Sequence, residues 1–375
     1  MMKSQIKTIY VAMSGGVDSS VAAALLKKQG YDVVGVFMKP WSPVIETRDK
    51  RQETSFCLWR QDREDAMRAA AVLGIPLLTW DFSREYKKEV GDYMIREYKA
   101  GRTPNPDVMC NKEIKFGLFL KMALKEGADF IATGHYIKIK KSKIKNQNNK
   151  SKFKNIYRLF KAKYLNKDQS YFLWTLTQKQ LKHCLFPIGR YTKPEVRKMA
   201  KKFGLSNHDK KDSQGVCFIG QLDMKEFLKK YIKSRAGKII DLAGKQVGTH
   251  DGASYYTIGQ RHGLNIGNGQ GPYFVTGKDI KKNIIYVSNK ATSDKRQATS
   301  MIVKKVNWVG ERPKLSVKLE VKIRYRSESI PVIISLRNSA YQLTSLPAYQ
   351  LKSVTPGQSA VFYRGEEMLG GGIIQ

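Results

Sequence analysis

The chain has 375 residues and a formal net charge of +36, from 68 Lys and Arg against 32 Asp and Glu. Its length predicts two or three domains, and its apolar runs are far shorter than the ~20 residues of a bilayer span, so we expect neither a membrane anchor nor a secretory signal. The positive charge predicts a polyanionic partner, with RNA or DNA favoured over a membrane surface.

The cysteines indicate a reducing compartment. Cys57, Cys110, Cys184 and Cys217 are too few and too far apart for a disulfide scaffold, and no C-x-x-C pair suggests zinc or an iron-sulfur cluster. We therefore expect a cytoplasmic protein with no resident metal site, in which cysteine chemistry is transient.

Up to about residue 220, short apolar runs alternate with helical patterns. This alternation predicts an α/β fold, a doubly wound parallel sheet with helices on both faces. The predicted strands are Ile9–Ala12, Val33–Met38, Pro76–Trp80 and Phe130–Thr133. The predicted helices are Val21–Gln29, Asp62–Leu73, Arg84–Tyr98 and Lys112–Glu126. Residues 138–154 contain eight lysines and no acid, which we interpret as a solvated insertion.

Two smaller domains are predicted beyond a boundary near residue 222. A helix-like segment, Asp223–Lys233, precedes a glycine-rich, turn-rich region, Gly237–Lys278. Apolar and mostly basic residues then alternate over residues 317–326, which predicts a small β-barrel with a basic outer face. We therefore divide the chain into a catalytic domain (1–222), a small central domain (223–292) and a C-terminal β-barrel (293–375).

The stretch MSGGVDSS, Met13–Ser20, joins the first predicted strand to the first predicted helix. Unpaired N–H groups and the positive end of a helix dipole attract phosphate at such a junction. Gly15 and Gly16 allow close approach, the serines add hydroxyl donors, and Asp18 is a candidate helix cap or magnesium ligand. The lysine of a Walker loop is missing, and so is the G-x-G-x-x-G dinucleotide pattern.

Candidate reactive residues follow in GRTPNPDVMCN, which begins at Gly101. We place Cys110 close to the start of the helix predicted from Lys112, where the thiol pKa is lowered. Asp107 is a candidate general acid or base for the same centre. Cys217 lies in a glycine-bearing loop with basic residues upstream. Spacing alone does not rank the four cysteines, and an isolated cysteine is more often a small buried hydrophobe than a nucleophile.

The string S-G-G-x-D-S resembles the PP-loop of the ATP pyrophosphatases. Together with further motifs, in order from near residue 8 to the C-terminus, the chain resembles the bacterial tRNA-specific 2-thiouridylases. Those motifs are GRTPNPDVMCN, ATGHY, KDQSYFLW, FPIGRYTKPEVR, DSQGVCFIG, YYTIGQRHGL, KIRYRS and PGQSAVFY. The insertion and an extended segment, Asn338–Gln350, depart from the family pattern without touching a motif.

The resemblance implies a transferase that replaces the C2 oxygen of the wobble uridine of certain tRNAs with sulfur. ATP, with Mg²⁺, would adenylate that oxygen and release pyrophosphate, which explains a phosphate loop without a lysine for γ-phosphate transfer. Cys217 would receive sulfur as a persulfide from a sulfur-relay protein. Cys110 would attack to release that sulfur and form a disulfide with Cys217, while Asp107 would be the acid or base.

The resemblance also assigns binding residues. Nucleotide contacts are expected at Ala12, Met13, Ser14, Gly15, Gly16, Val17, Asp18, Ser19, Met38 and Gly134. Contacts with the tRNA anticodon loop are expected at Asn105, Pro106, Asp107, His135, Lys167, Asp168, Gln169, Arg324, Tyr325 and Gln358. The residue chemistry agrees in part, because Arg324 lies on a basic strand face suited to phosphates and Tyr325 is suited to stacking on an unpaired base. His135 is equally consistent with a structural loop histidine.

The residues alone also have to be compared with other classes of protein. A lysidine synthetase uses an amine and needs no cysteine pair, a 2-thiocytidine synthetase usually carries C-x-x-C pairs, and an ammonia-fed ligase has no need of a basic β domain. A noncatalytic RNA-binding protein is disfavoured because the loop, Asp107 and both candidate cysteines are present together.

Overall fold

The computed structural model describes residues 6–42, 58–146, 149–212, 224–267, 269, 271–289, 299–347, 349, 351 and 353–375. Cys57 and Cys217 lie outside these residues, so the expectations for both cysteines stay predictions. Among the described residues, no helix combines the length and apolar character needed to cross a membrane.

The first domain is built on a five-stranded parallel sheet with the order β3-β2-β1-β4-β7. Its strands are β1 (Thr8–Ala12), β2 (Asp32–Lys39), β3 (Leu77–Asp81), β4 (Phe130–Ala132) and β7 (Cys184–Leu185). Its larger helices are α1 (Val17–Lys28), α2 (Leu58–Leu73), α4 (Asp92–Lys99) and α8 (Lys193–Lys202). The inner strand β1 is apolar and buried from Ile9 to Ala12, as expected for a strand covered by helices on both sheet faces. The predicted doubly wound sheet is confirmed.

Two predicted helices are more complex than their patterns indicate. The segment predicted as Arg84–Tyr98 contains α3 (Ser83–Tyr86), a π-helical turn (Lys87–Gly91) and α4. The helix predicted from Lys112 starts six residues earlier, as α5 (Pro106–Met109), and continues through a π-helical segment (Cys110–Phe119) into α6 (Leu120–Lys125). The early start has a local cause. The Asn105 side chain accepts a hydrogen bond from Val108 N at 3.2 Å, and Pro106 occupies the first helical position.

Residues 138–154, predicted from the sequence as a solvated insertion, lie largely in an antiparallel hairpin of β5 (Lys138–Asn146) and β6 (Asn149–Phe160). Lys140, Lys141 and Lys143 of this hairpin are exposed to solvent. The hairpin adds to the barrel sheet, because Leu159 and Phe160 pair with the last strand of the chain. Its base is anchored by Ile156 and Leu159, which are 4% and 0% exposed, so apolar residues at the end of β6 hold the lysine-rich strand in place.

The central domain has a four-stranded sheet with the order β10-β11-β8-β9. The strands are β8 (Gly237–Ile240), β9 (Gln246–His250), β10 (Phe274–Asp279) and β11 (Ile284–Ser288), preceded by α9 (Met224–Lys229). The region that the sequence marks as rich in turns therefore also contains strands, which are too short to show a clear alternation.

The C-terminal domain is a closed six-stranded barrel with the order β12-β15-β14-β13-β16-β17, and β12 pairs with β17 to complete it. Its strands are β12 (Ser300–Trp308), β13 (Val317–Lys322), β14 (Ile330–Arg337), β15 (Ala340–Ser345), β16 (Ser359–Arg364) and β17 (Glu367–Ile374). The alternation within β13 is confirmed, since Leu319 and Val321 face the barrel core. The strand ends at Lys322, however, so Arg324 and Tyr325 lie on a turn beyond it.

The three domains pack around a shared apolar core. Buried members of this core include Tyr98 of the first domain, Val275 of the central domain and Tyr363 of the barrel. One contact fixes the barrel against the loop that precedes α5, because Thr103 N donates to Pro356 O at 2.9 Å. The barrel thereby helps to position the segment that carries Asp107 and Cys110.

Candidate active site

The MSGGVDSS loop lies at the carboxyl end of β1, where the strand order reverses, with β2 on one side and β4 on the other. Such switch points form ligand crevices in parallel sheets. Gly15 has φ +74°, and a Cβ at this position would lie 2.0 Å from Asp62 O. Only glycine therefore allows the loop to fold tightly against the start of α2.

The serines of the loop have different roles. Ser19 Oγ accepts from Ser14 N at 3.2 Å and donates to Gly16 O at 3.1 Å, so it holds the loop closed. Ser20 is fully buried and donates to Gly16 O at 3.1 Å, so the expectation that it offers a hydroxyl to phosphate is wrong. Asn207, which no sequence pattern indicates, donates from Nδ2 to Gly15 O at 2.9 Å and so supports the loop.

Asp18 is the centre of a network of charged side chains. Its carboxylate accepts from Tyr136 OH at 2.8 Å, from Lys193 Nζ at 2.7 Å and from Lys167 Nζ at 3.2 Å. Both lysines also contact Asp212, at 2.7 and 2.8 Å. Burial alone would lower the pKa of Lys167, but the two carboxylates raise it overall, which keeps the ammonium charged.

This network corrects the two expectations for Asp18. The residue makes no side-chain cap on α1, whose N-cap is Gly16. It also does not fit a magnesium ligand in this arrangement, because both of its oxygens are bound by ammonium groups that would repel the ion. Among the described residues, no cluster of three or more His, Cys, Asp or Glu side chains could hold a metal ion. We therefore assign no step to a metal held by these side chains.

The loop opens onto a cavity of about 630 Å³. Of the predicted nucleotide contacts, its lining includes Ala12, Ser14, Gly16, Val17, Asp18, Ser19, Met38 and Gly134. Of the other predicted site residues, it includes Asp107, His135, Lys167, Gln169 and Tyr325. Further lining residues that the sequence did not single out are Asn111, Lys115, Phe172 and Lys193. Met13 and Gly15 are buried beside the cavity and are absent from its lining.

Asp107 and Cys110 lie in different environments on the same helix. Burial raises the pKa of Asp107, and Lys115 opposes this rise, so the carboxyl is suited to hold and release a proton inside the cavity. Cys110 is 4% exposed and packs in the apolar core rather than in the cavity wall. Burial raises the pKa of its thiol, and Lys115 and Tyr86 offset this only in part. The predicted lowering of the thiol pKa is wrong here, because the helix starts at Pro106 and Cys110 lies in its second turn.

His135 has features of both a cavity residue and a structural histidine, the two alternatives left open by the sequence. It lines the cavity, but it is only 6% exposed and its ring lies 5.8 Å from that of Phe116 and 6.4 Å from that of Phe186. Burial lowers the pKa of His135 well below its usual range, so the imidazole is neutral. Its Nδ1 shares a hydrogen bond of 2.8 Å with Thr133 Oγ1.

Several predicted tRNA contacts make internal hydrogen bonds instead of facing the cavity. Asp168 is 5% exposed and accepts from Ala162 N at 2.9 Å and Ser170 Oγ at 2.7 Å. Gln358 Nε2 donates to Thr103 O and Pro104 O, both at 3.0 Å, and so holds the loop before α5. These two residues organise the site rather than offer free polar groups, as do Asn105 and Pro106 at the start of α5.

Arg324 is the clearest case of this structural use. Its guanidinium donates to Ile258 O at 2.6 Å, Ser353 O at 3.3 Å and Thr355 Oγ1 at 2.9 Å, which joins the central domain to the barrel.

We expect Arg324→Met to lower the free energy of unfolding by roughly 2–3 kcal/mol, because three hydrogen bonds are lost and only Ser353 O keeps a second donor, Thr355 Oγ1. The midpoint of thermal unfolding measures this effect. The exposed Arg337, at the end of β14, serves as the control; Arg337→Met should change stability by less than about 0.5 kcal/mol. Weakened tRNA binding with unchanged stability would show that Arg324 acts as an RNA contact instead.

Together, the tight glycine loop at the switch point, the helix N-terminus and the adjoining cavity are typical of α/β enzymes that bind nucleotide phosphates. Three family models together match nearly the whole chain. They match a tRNA methyl transferase HUP domain at residues 7–221, a tRNA methyl transferase PRC-barrel domain at 225–289 and an aminomethyltransferase β-barrel domain at 298–374.

Curated relatives define the family more narrowly than the domain models do. The tRNA-specific 2-thiouridylase MnmA 2 of Geobacillus kaustophilus is 46% identical over 98% of this chain and 94% of its own length. The tRNA-specific 2-thiouridylase MnmA of Geobacillus thermodenitrificans has the same identity and coverage, and that of Lacticaseibacillus paracasei is 45% identical over 98% of this chain and 93% of its own. The chain therefore belongs to the family of tRNA-specific 2-thiouridylases. Among solved structures, a 4-thiouridine synthetase in complex with RNA and ATP is 16% identical, with a TM-score of 0.34 over 60% of this chain and 50% of that one, too weak a likeness to bear on function.

Proposed function

We propose that the protein is an ATP-dependent sulfurtransferase that forms 2-thiouridine at the wobble position of tRNA in the cytoplasm. The observation that carries this proposal is one cavity that joins a phosphate-binding loop to Asp107, in a chain 46% identical to 2-thiouridylases over nearly its full length. The net charge of +36 supports a nucleic acid substrate.

The first step is adenylation of the base. The N–H groups at the start of α1 and the hydroxyl of Ser14 are available to grip the phosphates of ATP. The C2 oxygen of uridine attacks the α-phosphorus, the bond to the β-phosphate breaks, and pyrophosphate leaves with the electron pair. The base then carries AMP on its C2 oxygen, which makes C2 electrophilic. Asp107, in the same cavity, is placed to move a proton on the base.

The second step transfers sulfur, with cysteine roles that rest on the family resemblance. The terminal sulfur of a persulfide on Cys217, loaded by a sulfur-relay protein, bonds to C2, and AMP leaves with the former C2 oxygen. The thiolate of Cys110 then attacks the Cys217 sulfur, the persulfide S–S bond breaks, and the sulfur on C2 keeps its electron pair. The two cysteines end as a disulfide, which an external thiol must reduce. Because Cys110 is buried, the segment Cys110–Phe119 must open before its thiol reacts.

The tRNA contacts expected from the resemblance divide into two groups. Lys167, Gln169, His135 and Tyr325 line the cavity and are proposed to contact the anticodon loop directly. Asp168, Arg324 and Gln358 are proposed to act through the loops they hold. A base must leave the helical stack before its C2 edge enters a cavity, so an anticodon loop is a suitable substrate.

Methylation is the alternative suggested by the descriptions of two matching family models. It is disfavoured because methyl transfer has no use for a loop that grips pyrophosphate. A lysidine or thiocytidine type of PP-loop enzyme is disfavoured by the identity to 2-thiouridylases over 98% of the chain.

The test uses purified protein with ATP, magnesium, a persulfide donor and tRNA transcribed without modifications. We expect pyrophosphate release, and 2-thiouridine by mass analysis of the nucleosides.

Cys110→Ser and Cys217→Ser should each abolish thiolation while binding of ATP and tRNA persists. Cys184→Ala, at a buried position in β7, is the control and should retain thiolation. A methylated nucleoside, or orthophosphate without pyrophosphate, would refute the proposed function. Full thiolation by either serine variant would refute the cysteine roles alone.

A further inference from the structure

Asn111 is a buried polar residue that none of the steps above uses. It follows Cys110 in the chain, lines the cavity and is only 3% exposed. Its Nδ2 donates to Phe172 O at 3.4 Å. Because a backbone carbonyl only accepts hydrogen bonds, the NH₂ half of the amide must face Phe172, and this fixes Oδ1 on the other side.

The Oδ1 atom of Asn111 has no hydrogen-bond partner within the described part of the chain. Four other buried side-chain atoms share this property there, namely Thr175 Oγ1, Asn207 Oδ1, His250 Nε2 and Thr276 Oγ1. Asn111 alone of these five residues contributes to the lining of the cavity. An unmet buried acceptor is unfavourable, so a ligand that brings an N–H donor to this point gains the bond.

The surroundings of Asn111 suit a nucleobase. Asp107 lies four residues earlier on the same helix, and both residues line the cavity. The rings of Phe172 and Tyr325 lie 4.5 Å apart and form an aromatic wall of the cavity, and the guanidinium of Arg326 lies 5.1 Å from the Tyr325 ring. Aromatic and guanidinium planes of this kind stack on unpaired bases.

We propose that Asn111 determines base specificity by accepting a hydrogen bond from N3–H of the target uracil. Uracil carries a hydrogen on N3, whereas the N3 of cytosine is itself an acceptor and would face the Oδ1 lone pairs unpaired. Because C2 is bonded to N3, anchoring N3 also presents the C2 edge beside Asp107. This inference rests on the proposed function, since it assigns the recognition of its substrate base.

The test uses three anticodon stem-loop RNAs that differ only at the wobble position, which carries uridine, N3-methyluridine or cytidine. The wild-type protein should bind the uridine RNA about 10- to 100-fold more tightly than the other two, because they leave the acceptor unpaired. Asn111→Leu keeps the size of the side chain. In this variant the uridine RNA should bind more weakly, and its affinity should differ from that of the other two RNAs by less than about 3-fold. Asn111→Ala serves as a second variant if the leucine protein does not fold.

Thr175→Val is the matched control, because it removes another unpaired buried polar atom away from the cavity, and it should keep the uridine preference. An unchanged preference in folded Asn111→Leu and Asn111→Ala would overturn the inference, as would a wild-type protein that binds all three RNAs equally. The binding measurement does not depend on sulfur transfer. A wild-type protein that prefers uridine but forms no 2-thiouridine would therefore refute the proposed function and leave this inference standing.

Discussion

The variant Asp107→Asn should lose thiolation by on the order of 10²- to 10⁴-fold, the usual contribution of a general acid or base. The amide keeps the shape of the carboxyl but cannot exchange a proton with the base. The loss should appear in the rate of 2-thiouridine formation while the protein still binds ATP and the stem-loop RNA. Glu113→Gln, a change of the same kind on the same helix and at a residue paired with Lys112, is the control and should retain activity.

Asp107→Asn should also raise stability, with a dependence on pH that identifies the cause. Burial raises the pKa of this carboxyl in the folded protein above the ordinary value of about 3.9 in the unfolded chain. The folded state therefore holds the proton more tightly, and the stability contributed by this group is lost as pH rises through the folded pKa. The asparagine variant avoids that loss. Its melting temperature should exceed the wild-type value at pH 8, and the difference should vanish as pH falls toward about 4.

The opposite stability result would show that Asp107 is held as a charged, favourably paired carboxylate. In that case the wild-type protein would be the more stable one at pH 8, and Asp107 would bind substrate electrostatically rather than exchange a proton. Activity retained by Asp107→Asn would exclude the acid or base role altogether.

The parallel sheet and the location of the phosphate loop were predictable from the sequence, because both follow from local patterns. The buried strands read as apolar runs of four to six residues, and Met13–Ser20 follows the first of them directly. The helix start at Pro106 carried a local signal as well, since Asn-Pro is a typical entry to a helix. The start predicted at Lys112 is too late because the apolar period of this helix becomes clear only beyond that residue.

The network around the loop was not predictable, because it joins residues far apart in the chain. Lys193 binds Asp18, which lies 175 residues earlier in the chain, and Asp212 binds Lys167, which lies 45 residues earlier. Nothing in the local pattern at either residue distinguishes it from an ordinary surface charge. The burial of Cys110 and the unpaired Oδ1 of Asn111 likewise depend on tertiary packing. Cys110 contacts Tyr86, and Asn111 donates to Phe172 O. The attachment of the lysine-rich hairpin to the barrel was not predictable either, because it depends on the long-range pairing of Leu159 and Phe160 with β17.

Gly134 packs closely against the phosphate loop, so we expect its substitution to impair the binding of ATP phosphates strongly. Gly134 follows β4, and a Cβ at this position would lie 2.6 Å from Ser19 N and 2.7 Å from Asp18 C. Its φ lies outside the left-handed region, so an alanine is not strained by its own backbone and acts only through this clash. Because the contacts are backbone atoms, Gly134→Ala must displace the first turn of α1 or the end of β4.

We expect Gly134→Ala to reduce ATP-dependent pyrophosphate release by about 100-fold or more, since a shift of about 1 Å in a positioning element is sufficient for a loss of that size. Binding of the stem-loop RNA should change little, because the aromatic wall lies on other segments of the chain. Gly267→Ala is the matched control, since a Cβ there would meet no atom within 4 Å, and it should release pyrophosphate at the wild-type rate. If Gly134→Ala also releases pyrophosphate normally, then the phosphates of ATP are not held at the start of α1, and the adenylation site must lie elsewhere in the cavity.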